Sequence, residues 1–428
     1  MKTDFDLIGV GVGPFNLSLA ALLSPLKEVR SLFLEQKKTF NWHSEIMFKD
    51  SVMQTSYLKD LVTPLDPTNP HSFLNFLVQH GLFYAHLNTG RTQVTRREFE
   101  TYCRWVCKNL GDQLAFETPV SQVEFKDGAF QVSAAGKIHT TKNICVGTGL
   151  SPWIPEFVTP YLSDTCLHAK SSELSTLNLT NKKVVIIGGG QTGLEVFRNA
   201  FKGQWGTPQK VSLVSRRHTL EPLDESPFTN EYFSPGYVKE FYGIESTAKP
   251  AIVHHQRFAS DGNTPAYLQD LYTELFYLKH VDKTGEDIHI LPQRRLMNME
   301  KQGESYKLTM VNFFNGTTEH MEADVVILCT GFRNLIPKCL ESLKNQIQFD
   351  QDERFQLDEN FSVNWEHSAT NKIYAMNFGR LIHGIAEPQT SLMAWRSGKI
   401  INDLLQKTVY PGVNSVDNFV QHGAFRDA

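Results

Sequence analysis

Val184-Val-Ile-Ile-Gly-Gly-Gly-Gln-Thr-Gly193 lies near the middle of the chain, and Asp6-Leu-Ile-Gly-Val-Gly-Val-Gly-Pro14 opens it. Each is a short apolar strand that runs into a glycine turn and then into a helical pattern. Such a turn lets the backbone approach a pyrophosphate, which then rests on the free N–H groups and positive dipole end of the next helix. In the first turn Gly9 permits the tight bend and Gly11 the close approach, with Gly13 following. Pro14 stands where the usual G-x-G-x-x-G has its third glycine, and proline suits a first helical turn. An acidic residue is expected about 20 positions on, at the end of the second strand, to bind a ribose hydroxyl; Glu35 is there. The second turn, Gly188, Gly190 and Gly193 with Gln191 and Thr192 between, is a full fingerprint. Its second-strand end reads Ser215-Arg216-Arg217 instead of Asp or Glu. Arginine there attracts the 2′-phosphate that a carboxylate would repel, so this unit is expected to take NADP(H). Two such units, one with Glu and one with Arg, suggest FAD first and NADPH second, with the redox chemistry carried by the flavin.

The rest of the chain agrees with an α/β reading. Its 428 residues allow two or three domains. Apolar residues at 41% and charged ones at 21% exclude disorder, collagen or a coiled coil as whole-chain descriptions. Basic and acidic residues number 42 and 46, too balanced for a dedicated nucleic-acid binder and no reason to expect a membrane surface. Six cysteines with no Cys-x-x-Cys imply free core thiols in a reducing compartment and argue against a dithiol reductase. The apolar stretch 7–23 is broken by glycines, Pro14 and Asn16 and preceded by Asp4 and Asp6, so it reads as neither a signal peptide nor a span. A cytoplasmic protein is expected.

Ser31–Leu34 reads as the second strand. Thr95 and Glu98 form a capping-box signature for a helix to Leu110, with Phe99, Cys103, Val106 and Leu110 on one face. Segments 120–125 and 129–133 alternate around Lys126-Asp127-Gly128 as a hairpin. A hinge at 150–155 leads to the second unit, which closes at the strand and glycine turn 325–331. The tail holds a strand at 373–377 and a helix at 391–405, and is expected to complete the first sheet. The expected architecture is two Rossmann-like dinucleotide-binding domains, the second inserted into the first. The FAD-binding domain takes 1–165 and 332–428. The NADPH-binding domain takes 166–331 and carries substrate-contacting segments.

Four segments resemble the bacterial siderophore N-hydroxylating monooxygenases, the lysine and ornithine N-hydroxylase family. They are Gly9-Val-Gly-Val-Gly-Pro-Phe-Asn-Leu-Ser18, Met53-Gln-Thr-Ser-Tyr-Leu-Lys-Asp-Leu61, Asp324-x3-Leu-Cys-Thr-Gly-Phe332-x4-Pro337 and His383-Gly-Ile-Ala-Glu-Pro-Gln-Thr-Ser-Leu392. The third matches the family's D-x3-(L/F)-A-T-G-Y-x4-(H/P) signature, with Cys329 for Ala and Phe332 for Tyr. The resemblance extends to the aerobactin-type lysine hydroxylases and the diamine hydroxylases. The related Baeyer–Villiger fingerprint F-x-G-x3-H-x3-W is absent around His168. The resemblance implies that Trp42, His43 and Gln54 line the flavin, with Glu387 and Pro388 in the C-terminal flavin segment. It implies that Gln191 and Thr192 meet NADP(H), that Arg216 sits on its adenosine phosphate with Arg217 beside it, and that Lys59 and Asn230 contact substrate or nicotinamide. His383 is either a flavin contact or a structural histidine.

By the same resemblance the reaction is N-hydroxylation of a primary amine with NADPH and O2 through a C4a-hydroperoxyflavin, giving a hydroxylamine for a hydroxamate siderophore. No catalytic side chain and no metal are expected. The position that holds a second carboxylate-binding Asn in ornithine hydroxylases falls on Ala259, which favours a diamine, putrescine or cadaverine, over L-lysine. An NADPH oxidase or other flavin oxidoreductase, and a non-catalytic dinucleotide-binding protein, are the competing classes. A homo-oligomer, dimer or tetramer, is implied by the family alone.

Overall fold

The computed structural model describes residues 3–49, 51–414 and 418–423. Strand β1 (Phe5–Val10) passes through the 11–13 turn into helix α1 (Pro14–Leu23), and the chain returns as β2 (Ser31–Leu34), parallel to β1. Pro14 occupies the first helical position, where its missing N–H leaves nothing unpaired. Almost every residue of α1 is buried, because it packs on helix α2 (Arg96–Leu110) and on the C-terminal helix Met393–Leu405. The Thr95–Glu98 capping box opens α2 as the sequence indicates, with both reciprocal bonds formed.

Strand β3 (Lys137–Val146) is shared. Its first half runs antiparallel to Ala129–Ala134 of the expected hairpin, and its second half runs parallel to β1. On its other side the tail strand Ile373–Ala375 pairs in parallel with Ile144–Val146 and completes the sheet. That strand stops two residues short of the expected end, and Asn377 takes φ 69°. The final helix begins at Met393, after a single 3-10 turn at Thr390–Leu392.

The second sheet is wholly parallel. Strand β4 (Lys183–Ile187) leads through 188–190 into helix α3 (Gln191–Phe201), followed by β5 (Lys210–Val214) and, later, β6 (Val325–Leu328). The order is Cys166–His168, β6, β4, β5, Ile288–Leu291. Alternate residues of β4 serve opposite faces. Val184 and Ile186 meet Leu194 and Phe197 of α3. Val185 and Ile187 meet Leu296, Met299 and Leu308 of an antiparallel meander made by Arg294–Gln302, Ser305–Asn312 and Thr318–Ala323. A sheet covered on both faces needs continuous apolar strands, which is why 184–187 does not alternate.

The two chain crossings between the sheets are paired with each other. Ser151–Pro152 lies antiparallel to Phe332–Arg333, and Trp153 N–H donates to Gly331 O at 2.9 Å. The fold is therefore α/β with two Rossmann-type sheets joined by a double strand.

Candidate functional site

A cavity of about 1680 Å3 runs from the turn after β1 to the turn after β4. Pockets for a single small molecule usually span roughly 300–1,000 Å3, so this one has room for two bound groups. It is lined by Gly11, Gly13, Pro14, Glu35, Trp42, His43 and Gln54 from one side, and by Gly188, Gly190, Gln191, Thr192, Gly193, Arg216 and Arg217 from the other; Pro388 also faces it. Of the residues expected to hold cofactor or substrate, Gly9, Lys59, Asn230 and Glu387 stand outside the lining, as do Ala259 and His383.

The glycines divide into two kinds. A Cβ on Gly9 would sit 2.1 Å from the Phe33 ring, so its role is close packing of β1 on β2 and not the bend assigned to it above. Gly11 has φ +89° and a Cβ there would meet Gly147 O at 2.8 Å; Gly188 has φ +135° and would meet Cys329 O at 2.1 Å. Those two make the bends. Gly13 and Gly190 are the N-caps of α1 and α3, with φ/ψ of −88°/178° and −88°/177°. That is extended backbone any residue adopts, and a Cβ would find nothing nearer than 3.9 Å at Gly13 or 3.8 Å at Gly190. The protein leaves room at both caps, where the first-turn N–H groups of a helix are free for an anion. Two phosphate-bearing cofactors fit this cradle pair.

Glu35 is buried and accepts from Val12 N–H at 2.7 Å and Lys37 N–H at 2.9 Å, so the carboxylate braces the first turn while its remaining lone pairs face the cavity. The two arginines differ. Arg217 Nη2 donates to Asp261 O at 2.6 Å and its Nε lies 3.8 Å from Glu221, which ties it to the protein. Arg216 is exposed on the cavity wall with its guanidinium 6.0 Å from the Trp153 ring. Arg216 is thus the better placed of the two for a phosphate.

Several cavity groups carry no local sequence signal. Lys170, just beyond the Cys166–His168 strand, places Nζ 3.1 Å from His43 Nδ1. An ammonium can only donate, so His43 accepts at Nδ1 and keeps its proton on Nε2. Burial, then the positive Lys170, Arg96 and Lys37, holds His43 well below the usual histidine range. Arg96 pairs with Glu195, and Arg380 with Asp261 at 2.8 Å; each pair joins the two sheets' units beside the cavity. These partners are far apart in the chain, and no spacing rule would find them.

The model of the L-lysine 6-monooxygenase/L-ornithine 5-monooxygenase family matches residues 3–334. The chain belongs to this family. It is an N-hydroxylating flavin monooxygenase with FAD and NADPH as cofactors. The L-lysine N6-monooxygenase of Escherichia coli is 38% identical, with 96% of each chain covered. A putrescine N-hydroxylase of Acinetobacter baumannii is 30% identical over 95% of this chain and 91% of its own. The FAD-bound structure of a cadaverine monooxygenase from Erwinia amylovora superposes with a TM-score of 0.90 at 25% identity, covering 100% of this chain and 99% of that one.

In this monooxygenase neither substrate residue suggested by the family pattern lines the cavity. Asn230 ends the short helix Pro227–Asn230, is exposed, and donates to Glu225 O at 3.2 Å. Lys59 is half-buried, four residues beyond the lining residue Thr55. Burial pushes its ammonium below the usual lysine value. Ala259 is 8% exposed in an apolar cluster with Tyr237, Phe241, Val253 and Ile385 and does not line the cavity. Its lack of hydrogen bonding therefore says little about the substrate. His383 is stacked with Tyr242 and tilted against Phe361, with Nε2 3.1 Å from Asp358 O, and also lies outside the lining. No helix among the described residues is long and apolar enough to cross a membrane.

The buried histidines set an acid limit. Burial is the leading cause that lowers His168 from 6.5 to about 4 and His383 to about 3. Both stay neutral when folded and take up a proton when unfolded below 6.5. The unfolded state therefore binds more protons in that window, and stability falls as pH drops from 6.5 toward 4. Each such histidine adds a slope approaching about 1.4 kcal/mol per pH unit. Urea midpoints at about pH 7.5 and pH 5 should differ accordingly; identical midpoints would count against these two assignments.

Proposed function

We propose that this monooxygenase hydroxylates the side-chain nitrogen of L-lysine to give N6-hydroxylysine for a hydroxamate siderophore. FAD would lie on the first turn, in a domain of 1–165 and 332–428, and NADPH on the second, in a domain of 166–331. The observation that carries the lysine reading is Lys59: among the described residues its half-buried ammonium makes no hydrogen bond or ion pair. A cation desolvated without a partner is costly, and a substrate carboxylate would supply the missing partner. A diamine would bring a second cation instead. The 38% identity to a protein named L-lysine N6-monooxygenase points the same way.

When bound, the flavin supplies oxygen activation using electrons from NADPH. The protein's part is to bind, orient and exclude water. Glu35 would hold the FAD ribose while the Gly13 cap receives its phosphates; Arg216 would hold the NADPH 2′-phosphate while the Gly190 cap receives its pyrophosphate. Trp42, His43 and Gln54 would face the flavin, His43 offering its Nε2–H. Gln191 and Thr192 would flank NADP(H), and Asn230 would close over the substrate from its exposed helix. The substrate amine must lose a proton to expose its lone pair. A free alkylammonium titrates near ~10.4, and a water-poor pocket lowers that value. A cytoplasmic homo-oligomer, dimer or tetramer, belongs to the same proposal.

Diamines are the second reading, favoured by the relatives named putrescine N-hydroxylase and by the structural likeness to a cadaverine monooxygenase. The test is holoenzyme with NADPH in air, given L-lysine, L-ornithine, cadaverine and putrescine separately, with mass spectrometry for a product one oxygen heavier. L-lysine is expected to be the preferred substrate. Lys59→Met is expected to raise KM for lysine about 30-fold, the loss of roughly 2 kcal/mol for a charge-assisted contact, and to leave cadaverine turnover nearly unchanged. Preferential hydroxylation of a diamine by the unaltered enzyme would overturn the lysine reading. NADPH consumption with no oxygenated product would favour an oxidase.

A further inference from the structure

Glu195 lies one helical turn into α3, with its side chain 2% exposed, directly behind the Gly190 cap. Its Oε1 accepts from Gln191 Nε2 at 3.0 Å. Gln191 Oε1 in turn accepts from Thr264 N–H at 3.1 Å, so both ends of that amide are held. The counter-ion comes from the other unit. Arg96, the first residue of α2, places Nη1 3.1 Å from Glu195 Oε2 and Nη2 3.3 Å from Oε1, a two-point pair with Arg96 15% exposed. Arg96 Nη1 also reaches Ile46 O at 3.5 Å, in the segment that follows Trp42 and His43. One chain of contacts thus joins the second nucleotide turn to the segment Ser44–Ile46 of the first unit.

A buried carboxylate beneath a phosphate-binding turn is a liability. Uncompensated, it repels the pyrophosphate that the turn exists to receive. Buried ion pairs are seldom a net source of stability, so stability does not by itself explain the pair. We propose that Arg96 and Glu195 are positioning residues for NADP(H): Glu195 aims the Gln191 end of the nucleotide helix, and Arg96, supplied by the FAD-side unit, cancels the carboxylate's charge so that the turn accepts phosphate. Glu195 stands outside the cavity lining, and Arg96, which reaches the lining, spends its guanidinium on Glu195. The second nucleotide turn is in this way completed by the first unit. The proposal rests on placing NADP(H) at the second turn.

The test is NADP+ titration of the FAD-loaded enzyme and of its variants by calorimetry, with KM for NADPH and kcat measured alongside. Arg96→Met exposes the carboxylate and is expected to weaken NADP+ about tenfold and to raise KM with kcat changed less than threefold. The double variant Arg96→Met with Glu195→Gln removes both charges, keeps a hydrogen-bonding group for Gln191, and is expected to recover most of the lost affinity. A purely structural pair shows the same rescue in the melting temperature with NADP+ affinity unchanged throughout, and that result overturns the proposal, as does a double variant that binds NADP+ as weakly as the single. So does an Arg96→Met affinity within twofold of the unaltered enzyme. If Arg96→Met does not fold, Arg96→Gln is read in the same assay against the same limits. Gly190→Asp separates this proposal from the reading beneath it. If Gly190→Asp binds NADP+ normally, the turn is not the NADP(H) site and both fall. If it abolishes binding while the Arg96 variants bind normally, the positioning proposal alone falls.

Discussion

Gly190→Asp is expected to weaken NADP(H) binding by about 100-fold or more while leaving the melting temperature unchanged or slightly raised. The two effects separate because Gly190 is required by the ligand and not by the fold. Its φ of −88° suits any residue, and a Cβ would have only Arg217 Nη2 within 4 Å, at 3.8 Å. Aspartate is a preferred N-cap where glycine satisfies no helix N–H with a side chain, so α3 should gain a few tenths of a kcal/mol. The same carboxylate would occupy the anion's position and repel it; like charges set against each other in a partly buried site cost several kcal/mol. A melting curve and an NADP+ titration on the same preparation decide it. Gly188→Ala makes the contrast. At φ +135°, with Cys329 O 2.1 Å from the new Cβ, it should lower the melting temperature before any ligand is added. Loss of stability in Gly190→Asp comparable to that in Gly188→Ala would refute the division.

Arg396→Met is expected to cost about 3–5 kcal/mol, because it leaves a buried carboxylate without its cation. Arg396 is fully buried in the C-terminal helix, its guanidinium 4.7 Å from the Phe15 ring and 5.3 Å from that of Phe361. It donates to Glu387 O and lies 3.8 Å from Glu387 Oε1, while that oxygen accepts from Asn377 N–H at 2.7 Å. Burial pushes the guanidinium's pKa down, and Glu387 holds it up. This is where the structure puts Glu387: behind the cavity wall, fixing the backbone of the segment whose Pro388, Gln389 and Thr390 do line it. Arg396→Met should therefore loosen FAD as well as the fold. Pairing it with Glu387→Gln removes the stranded charge and should return a good part of the stability in urea unfolding. If the double variant is the less stable by the full sum of both changes, the pair is not acting as a compensated charge.

The parts of this protein that could be read from the sequence are those whose physics is local. Apolar runs ending in glycine define β1 and β4, Thr95 and Glu98 cap α2, and Glu35 and Arg216 stand at the ends of the second strands that follow each turn. In each case the interacting groups are neighbours along the chain or sit at a distance set by one strand–helix–strand unit. The role of each glycine was decided elsewhere. Gly11 and Gly188 answer to carbonyls at Gly147 and Cys329, brought against them only when the sheets assemble. The same holds for Lys170 with His43, Arg96 with Glu195 and Arg380 with Asp261, which join residues 127, 99 and 119 positions apart. Ala259 shows the converse: a position singled out by alignment to a family pattern lies in an apolar cluster, because its 3-10 turn packs inward on Tyr237 and Phe241. Sequence by itself determined two Rossmann-type units and FAD and NADPH as the pair of cofactors, because strand, turn and charge at fixed spacing need no long-range information. Only the tertiary structure decided which buried charges meet across the cavity, because such pairs form when separate units dock and dehydrate them together.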